Sequence, residues 1–132
     1  MSDYKITLPI YGVRKPTKSC KNGAITFNWA LGCNNHVYNA AKKKFKSMID
    51  DQLSAFDPID GKLSIHYAYY AKRNSGDLDG FVSIPKKWLQ DALTEKGLIV
   101  DDHARIIVRN SESYAGIDKN NPRIEAFVSL ID

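Results

Sequence analysis

Apolar residues fall into two rhythms along this chain, one of period two and one of helical spacing. From Tyr4 to Tyr11, Ile6, Leu8 and Ile10 alternate with other residues, which predicts a strand. Lys62 to Ala71 predicts a second: Leu63, Ile65, Tyr67 and Tyr69 share one face, and Ser64, His66, Ala68 and Tyr70 the other. Ala104–Arg109 and Ile124–Ile131 predict two more strands, joined by a loop holding Gly116 and Pro122. Val37, Ala41, Phe45, Met48, Ile49 and Leu53 recur at three- and four-residue steps and predict a helix over 35–54, with an asparagine at or near its N-cap. Ile84, Trp88, Leu89, Ala92 and Leu93 predict a second helix, from Ile84 or Pro85 to Lys96. Proline falls in its first turn and Gly97 just beyond its end. Residues 24–29 read as extended and residues 13–23 as an exposed basic loop. The order predicts an α+β fold: a mixed sheet of about four strands with two main helices packed on it.

With 132 residues the chain suits one domain, 1–132. Hydrophobic residues make up 43% and charged residues 26%, as in an ordinary globular protein. No apolar run is long enough to span a bilayer, and the start of the chain lacks a signal-peptide pattern, so a cytoplasmic location is expected. The net charge of +4 is unevenly spread. Residues 1–66 carry ten Lys/Arg against five Asp/Glu, and residues 67–132 carry nine against ten. That suits a protein that attracts polyanions and holds cations, and equally a solvated surface with scattered charge. Cys20, Cys33 and His36 supply three zinc-type ligands where a structural zinc site needs four.

The chemistry concentrates in residues 76–106. Asp77 and Asp79 are one residue apart; on an extended backbone they would face one way, and two unpaired carboxylates would repel. A hard divalent cation relieves that repulsion and also accepts phosphate oxygens. A second pair, Asp101-Asp102, follows the predicted helix, and two strand ends joined through a helix can lie side by side. Asp102 would then join Asp77 and Asp79 in a site for metal-assisted phosphodiester hydrolysis, with Lys87 reaching the phosphate. The same residues also fit solvated loop acids, an Asp-Asp turn and a Lys87–Asp91 surface pair.

In sequence order these residues are Asp77-Leu78-Asp79-Gly80, Lys87, Asp91-Ala92-Leu93, Gly97 and Asp101-Asp102. The stretch resembles the core motif of RusA-type Holliday junction resolvases, in which D-x-D-N precedes a lysine-bearing helix ending near D-A-L, then a glycine and D-D. The resemblance implies metal binding by Asp77, Asp79 and Asp102, catalytic help from Lys87, Mg²⁺ or alternatively Mn²⁺ as cofactor, and a homodimer cutting branched DNA. Gly80 stands where the family has asparagine, and a longer link to the helix leaves Lys86 as the alternative lysine. The other expectation is a relative that binds branched or single-stranded DNA without cutting it. Lys42, Lys43 and Lys46 on the first helix, and Lys72 and Arg73 before the acids, are the expected phosphate contacts.

Overall fold

Asp3–Leu8 (β1), Lys62–Ala71 (β2), Ile107–Ile117 (β3) and Arg123–Ile131 (β4) form one sheet in the order β1-β4-β2-β3. The structure is a computed structural model that describes residues 3–14, 23–74, 77–100 and 105–131. β4 runs antiparallel to both β1 and β2, whereas β2 and β3 are parallel. Three helices accompany the sheet: Phe27–Gly32 (α1), Asn35–Ser54 (α2) and Leu78–Glu95 (α3). The fold is α+β, and α3 makes the crossover that a parallel strand pair requires.

α2 begins as its sequence predicts: the Asn34 side chain accepts a hydrogen bond from the Val37 amide. Its buried stripe is narrower than the apolar spacing suggests. Ala41, Phe45, Ile49 and Leu53 are buried, while Val37 and Met48 are exposed. α3 buries Val82, Ile84, Trp88, Leu89, Ala92 and Leu93 against the sheet and α2. Trp88 is fully buried, makes edge contacts with Phe45, Tyr38 and Trp29, and donates from Nε1 to the Tyr38 hydroxyl at 3.0 Å. Past its C-cap, Gly97 has φ +74°, and the amides of Gly97 and Leu98 return to the carbonyls of Thr94 and Leu93.

The structure departs from the predicted elements in four places. α3 starts at Leu78, so Pro85 lies inside the helix rather than in its first turn. Asp77 caps the helix there, and Phe81 stacks on Tyr69, which anchors the first turns to β2. Residues 27–32 are helical, not extended, because the Thr26 hydroxyl accepts from the Trp29 amide and starts α1. β3 covers most of the predicted 110–123 loop. It is an edge strand held by β2 and by polar contacts: Ser111 and Ser113 bond the two ring nitrogens of His66, and Asn110 accepts from Gln90. Such a strand needs no apolar alternation. Arg14, expected in an exposed loop, is buried; its Nε donates to the Ala24 carbonyl at 2.7 Å and its guanidinium lies over Trp29.

Both long helices pack on the face carrying Ile6, Leu8, Leu63, Ile65, Tyr67, Ile124, Ala126 and Val128. No described helix covers the other face. Among the described residues no helix is long and apolar enough to cross a membrane.

Candidate metal and nucleic-acid site

The two motif aspartates sit at the start of α3, past the edge where β2 ends. Asp77 is extended, with φ −105° and ψ 158°, and its Oδ1 accepts from the Gly80 amide at 2.7 Å. Asp79 lies in the first helical turn. The pair is therefore an N-cap and a first-turn acid, not two neighbours on a strand. Both positions suit a carboxylate, because the exposed amides of a helix N-terminus carry partial positive charge. Both side chains are exposed. Gly80 matters to this geometry: a Cβ there would run into Asp77 Oδ1.

An aromatic cluster backs the aspartates. Tyr69 stacks on Phe81 with ring centroids 5.1 Å apart and meets Tyr114 edge-on at 6.2 Å. Burial pushes the Tyr69 hydroxyl above its ordinary range, and the neighbouring Tyr11, Tyr114 and Asp77 push it the same way. Lys72 places its ammonium 5.3 Å from the Tyr11 ring, and Arg73 is exposed beside it.

The two candidate lysines of α3 have different surroundings. Lys86 is ion-paired with Glu112 of β3 at 2.6 Å. Lys87 is exposed. On α2, Lys42 pairs with Asp91 at 2.8 Å and Lys46 with Glu95 at 2.6 Å, so both tie α2 to α3. Lys96 completes this ladder with Asp50 at 2.6 Å. Burial alone would lower the Lys42 pKa, but the hydrogen bond and charge of Asp91 outweigh it and hold the ammonium above its usual value. Lys43 and Lys44 are exposed and remain the solvent-facing cations of that helix.

Asp101, Asp102 and His103 lie outside the described residues, as do Lys15, Lys18, Cys20 and Lys21. The residues that flank 101–104 are held by backbone hydrogen bonds. The Leu98 carbonyl accepts from the Ile59 amide, and the Ile106 carbonyl accepts from the Leu63 amide. Arg105 thus adjoins the end of the sheet where β2 and β3 begin, and Val100 follows the C-terminal end of α3. Asp77 and Asp79 stand at the N-terminal end of that helix, whose 18 residues span about 27 Å. Among the described residues no three His, Cys, Asp or Glu side chains gather as a metal-ligating group.

Sequence reasoning missed two polar clusters. One is His66 with Ser111 and Ser113; the other is Arg123, which pairs with Asp118 and Glu125 and lies over Tyr70, 3.9 Å from the ring centroid. Both depend on which strands are neighbours, and no spacing along the chain carries that information. No family model and no curated protein matches this sequence.

Proposed function

We propose that this chain is a metal-dependent endonuclease of the RusA type that cuts branched DNA, including Holliday junctions, as a homodimer. The observation that carries the reading is the motif running from Asp77 to Asp102, whose first two acids are exposed together at the start of α3. Carboxylate oxygens of this kind fit Mg²⁺ or Mn²⁺, which take one or two carboxylates and otherwise water and phosphate oxygen. Asp77 Oδ1 is engaged by the Gly80 amide, and Asp79 supplies a second carboxylate within the first turn of the helix. The chemistry a bound ion supplies is activation of the attacking water and neutralisation of charge at the scissile phosphate. Lys87 adds an exposed cation on the same helix, whereas Lys86 is held by Glu112. Lys72, Arg73 and Lys43 are the phosphate-steering residues, with Lys42 and Lys46 contributing field rather than free ammonium groups.

The positions of Val100 and Arg105 favour a site completed between subunits. In this reading the partner subunit's Asp102 joins Asp77 and Asp79. A two-fold dimer then presents two such sites to a near two-fold junction. The test is nicking of a synthetic four-way junction with Mg²⁺. Asp79→Asn and Asp102→Asn should each lose at least about a hundredfold in rate while keeping junction affinity. Mixed heterodimers of the two variants should recover nicking at one site. No recovery, with both variants dimeric, would leave the acids working within one chain or not at all.

A second reading has an observation of its own. Gly80, in place of the family's asparagine, lets Asp77 serve as a helix cap, a purely structural duty. On that reading the chain binds branched DNA without cutting it. Wild-type protein that stays inert with both Mg²⁺ and Mn²⁺, and binds junctions as tightly as Asp79→Asn does, would favour it.

A further inference from the structure

The uncovered face of the sheet has a composition that solvent exposure alone does not require. Strand register places Lys5, Phe127, His66 and Ser111 in one row across all four strands. The row on one side holds Asp3, Ser129, Ser64 and Arg109, and the row on the other holds Thr7, Glu125, Ala68 and Ser113. Phe127 is 38% exposed at the centre, out of phase with the buried Ala126 and Val128. His66 beside it is fixed by two serine hydroxyls, at 2.7 and 2.8 Å. Lys5 stands on the other side of the ring, and Arg109 and Lys62 are exposed on the same face. Of the acids that the register places on this face, Asp3 and Glu125, Glu125 is neutralised by Arg123 at 3.1 Å, with Lys5 at 3.9 Å.

We propose that this face binds single-stranded DNA, with one unpaired base stacked on Phe127 and the flanking phosphates on Lys5, Arg109 and Lys62. An aromatic ring set among cations on an uncovered sheet face meets both needs of a nucleic-acid strand. Bases stack on the ring whatever their identity, and phosphates pair with the cations. Hydroxyls from Ser64 and Ser129 supply short, uncharged donors between them. A second copy of the chain stacked on this face would bring like charges together, which disfavours that occupant. The inference rests on the nucleic-acid reading above but uses none of the α3 acids. It gives a branched substrate a second hold, on a displaced or unpaired strand.

The test is binding of a fluorescent oligo-dT strand, read by anisotropy at low salt with EDTA present, so that no cutting contributes. Phe127→Ala should weaken binding by on the order of tenfold, with Phe127→Trp retaining it. Arg109→Glu should weaken it and make its salt dependence shallower. Circular dichroism and sedimentation of each variant report folding and subunit number. Unchanged affinity in folded Phe127→Ala and Arg109→Glu proteins overturns the proposal. So does a Phe127→Ala protein that changes from dimer to monomer with unaltered DNA affinity, because the face is then a contact between copies. Junction nicking by wild-type protein is scored separately. Its absence alongside Phe127-dependent binding would remove the nuclease reading and leave this one.

Discussion

The Asp77–Gly80 contact illustrates how one glycine can serve a neighbour's side chain rather than its own backbone. Glycine inside a helix ordinarily costs about 1 kcal/mol relative to alanine. Here a methyl group at position 80 would displace the Asp77 carboxylate from the amide it caps. Gly80→Ala should therefore destabilise the protein by about 0.5–2 kcal/mol, the usual worth of an N-cap. In an Asp77→Ala background the cap is already gone, and the same change should be neutral or stabilising. Urea unfolding of the four proteins of this cycle gives the answer, and additive effects would contradict it. None of this was legible in the sequence. D-x-D followed by Gly80 and, shortly after, Pro85 reads as a break before a later helix. The cap that extends α3 back to Leu78 becomes visible only when Phe81 is seen stacked on Tyr69.

Among the elements, the two long helices meet through a buried aromatic cluster and an outer ladder of ion pairs, and the two differ in energetic weight. Trp88 is fully enclosed and hydrogen-bonded, so Trp88→Ala should cost about 3–5 kcal/mol. Lys46→Ala removes a pair whose glutamate is largely exposed and should cost less than about 1 kcal/mol. Thermal unfolding of the two variants separates these magnitudes, and a comparable loss in both would mean that the ladder carries the contact. α2 and β2 were legible at this scale because each shows a clean period over many residues, bounded by Asn34 in one case and by Gly61 in the other. β3 was not. Its residues Asn110 to Ser113 find their partners on His66, Gln90 and Lys86, which belong to other elements. α1 was missed because a six-residue helix with no buried residue leaves no stripe in the sequence.

Across the whole molecule, several groups that titrate at alkaline pH are held in their protonated forms. Burial raises the Tyr67 hydroxyl; the hydrogen bond from Gln90 opposes this and the charge of Glu112 adds to it. Tyr69 and Lys42 are shifted in the same direction. A group whose pKa is raised by folding contributes its full stability below its unfolded value, near 10 for tyrosine, and loses it as pH climbs toward the folded value. Urea midpoints should therefore be level up to about pH 10 and fall above it. Tyr67→Phe should flatten that fall, and an equally steep decline in the variant would assign it elsewhere. The α+β class was legible from the order of the elements, but the strand order was not. Alternation along a strand tells which face is buried and says nothing about which neighbour lies alongside.

That strand order has a consequence for biogenesis. Among the described strands β4 is the last in chain order, lies between β1 and β2, and is the sole partner of β1 in the sheet. During synthesis β2, α3 and β3 can assemble as a parallel unit, while residues 3–8 wait with no ladder to join. The N-terminal segment locks into place only after residues 123–131 leave the ribosome, so a ribosome stalled before Arg123 carries a nascent chain with an open seam at its centre.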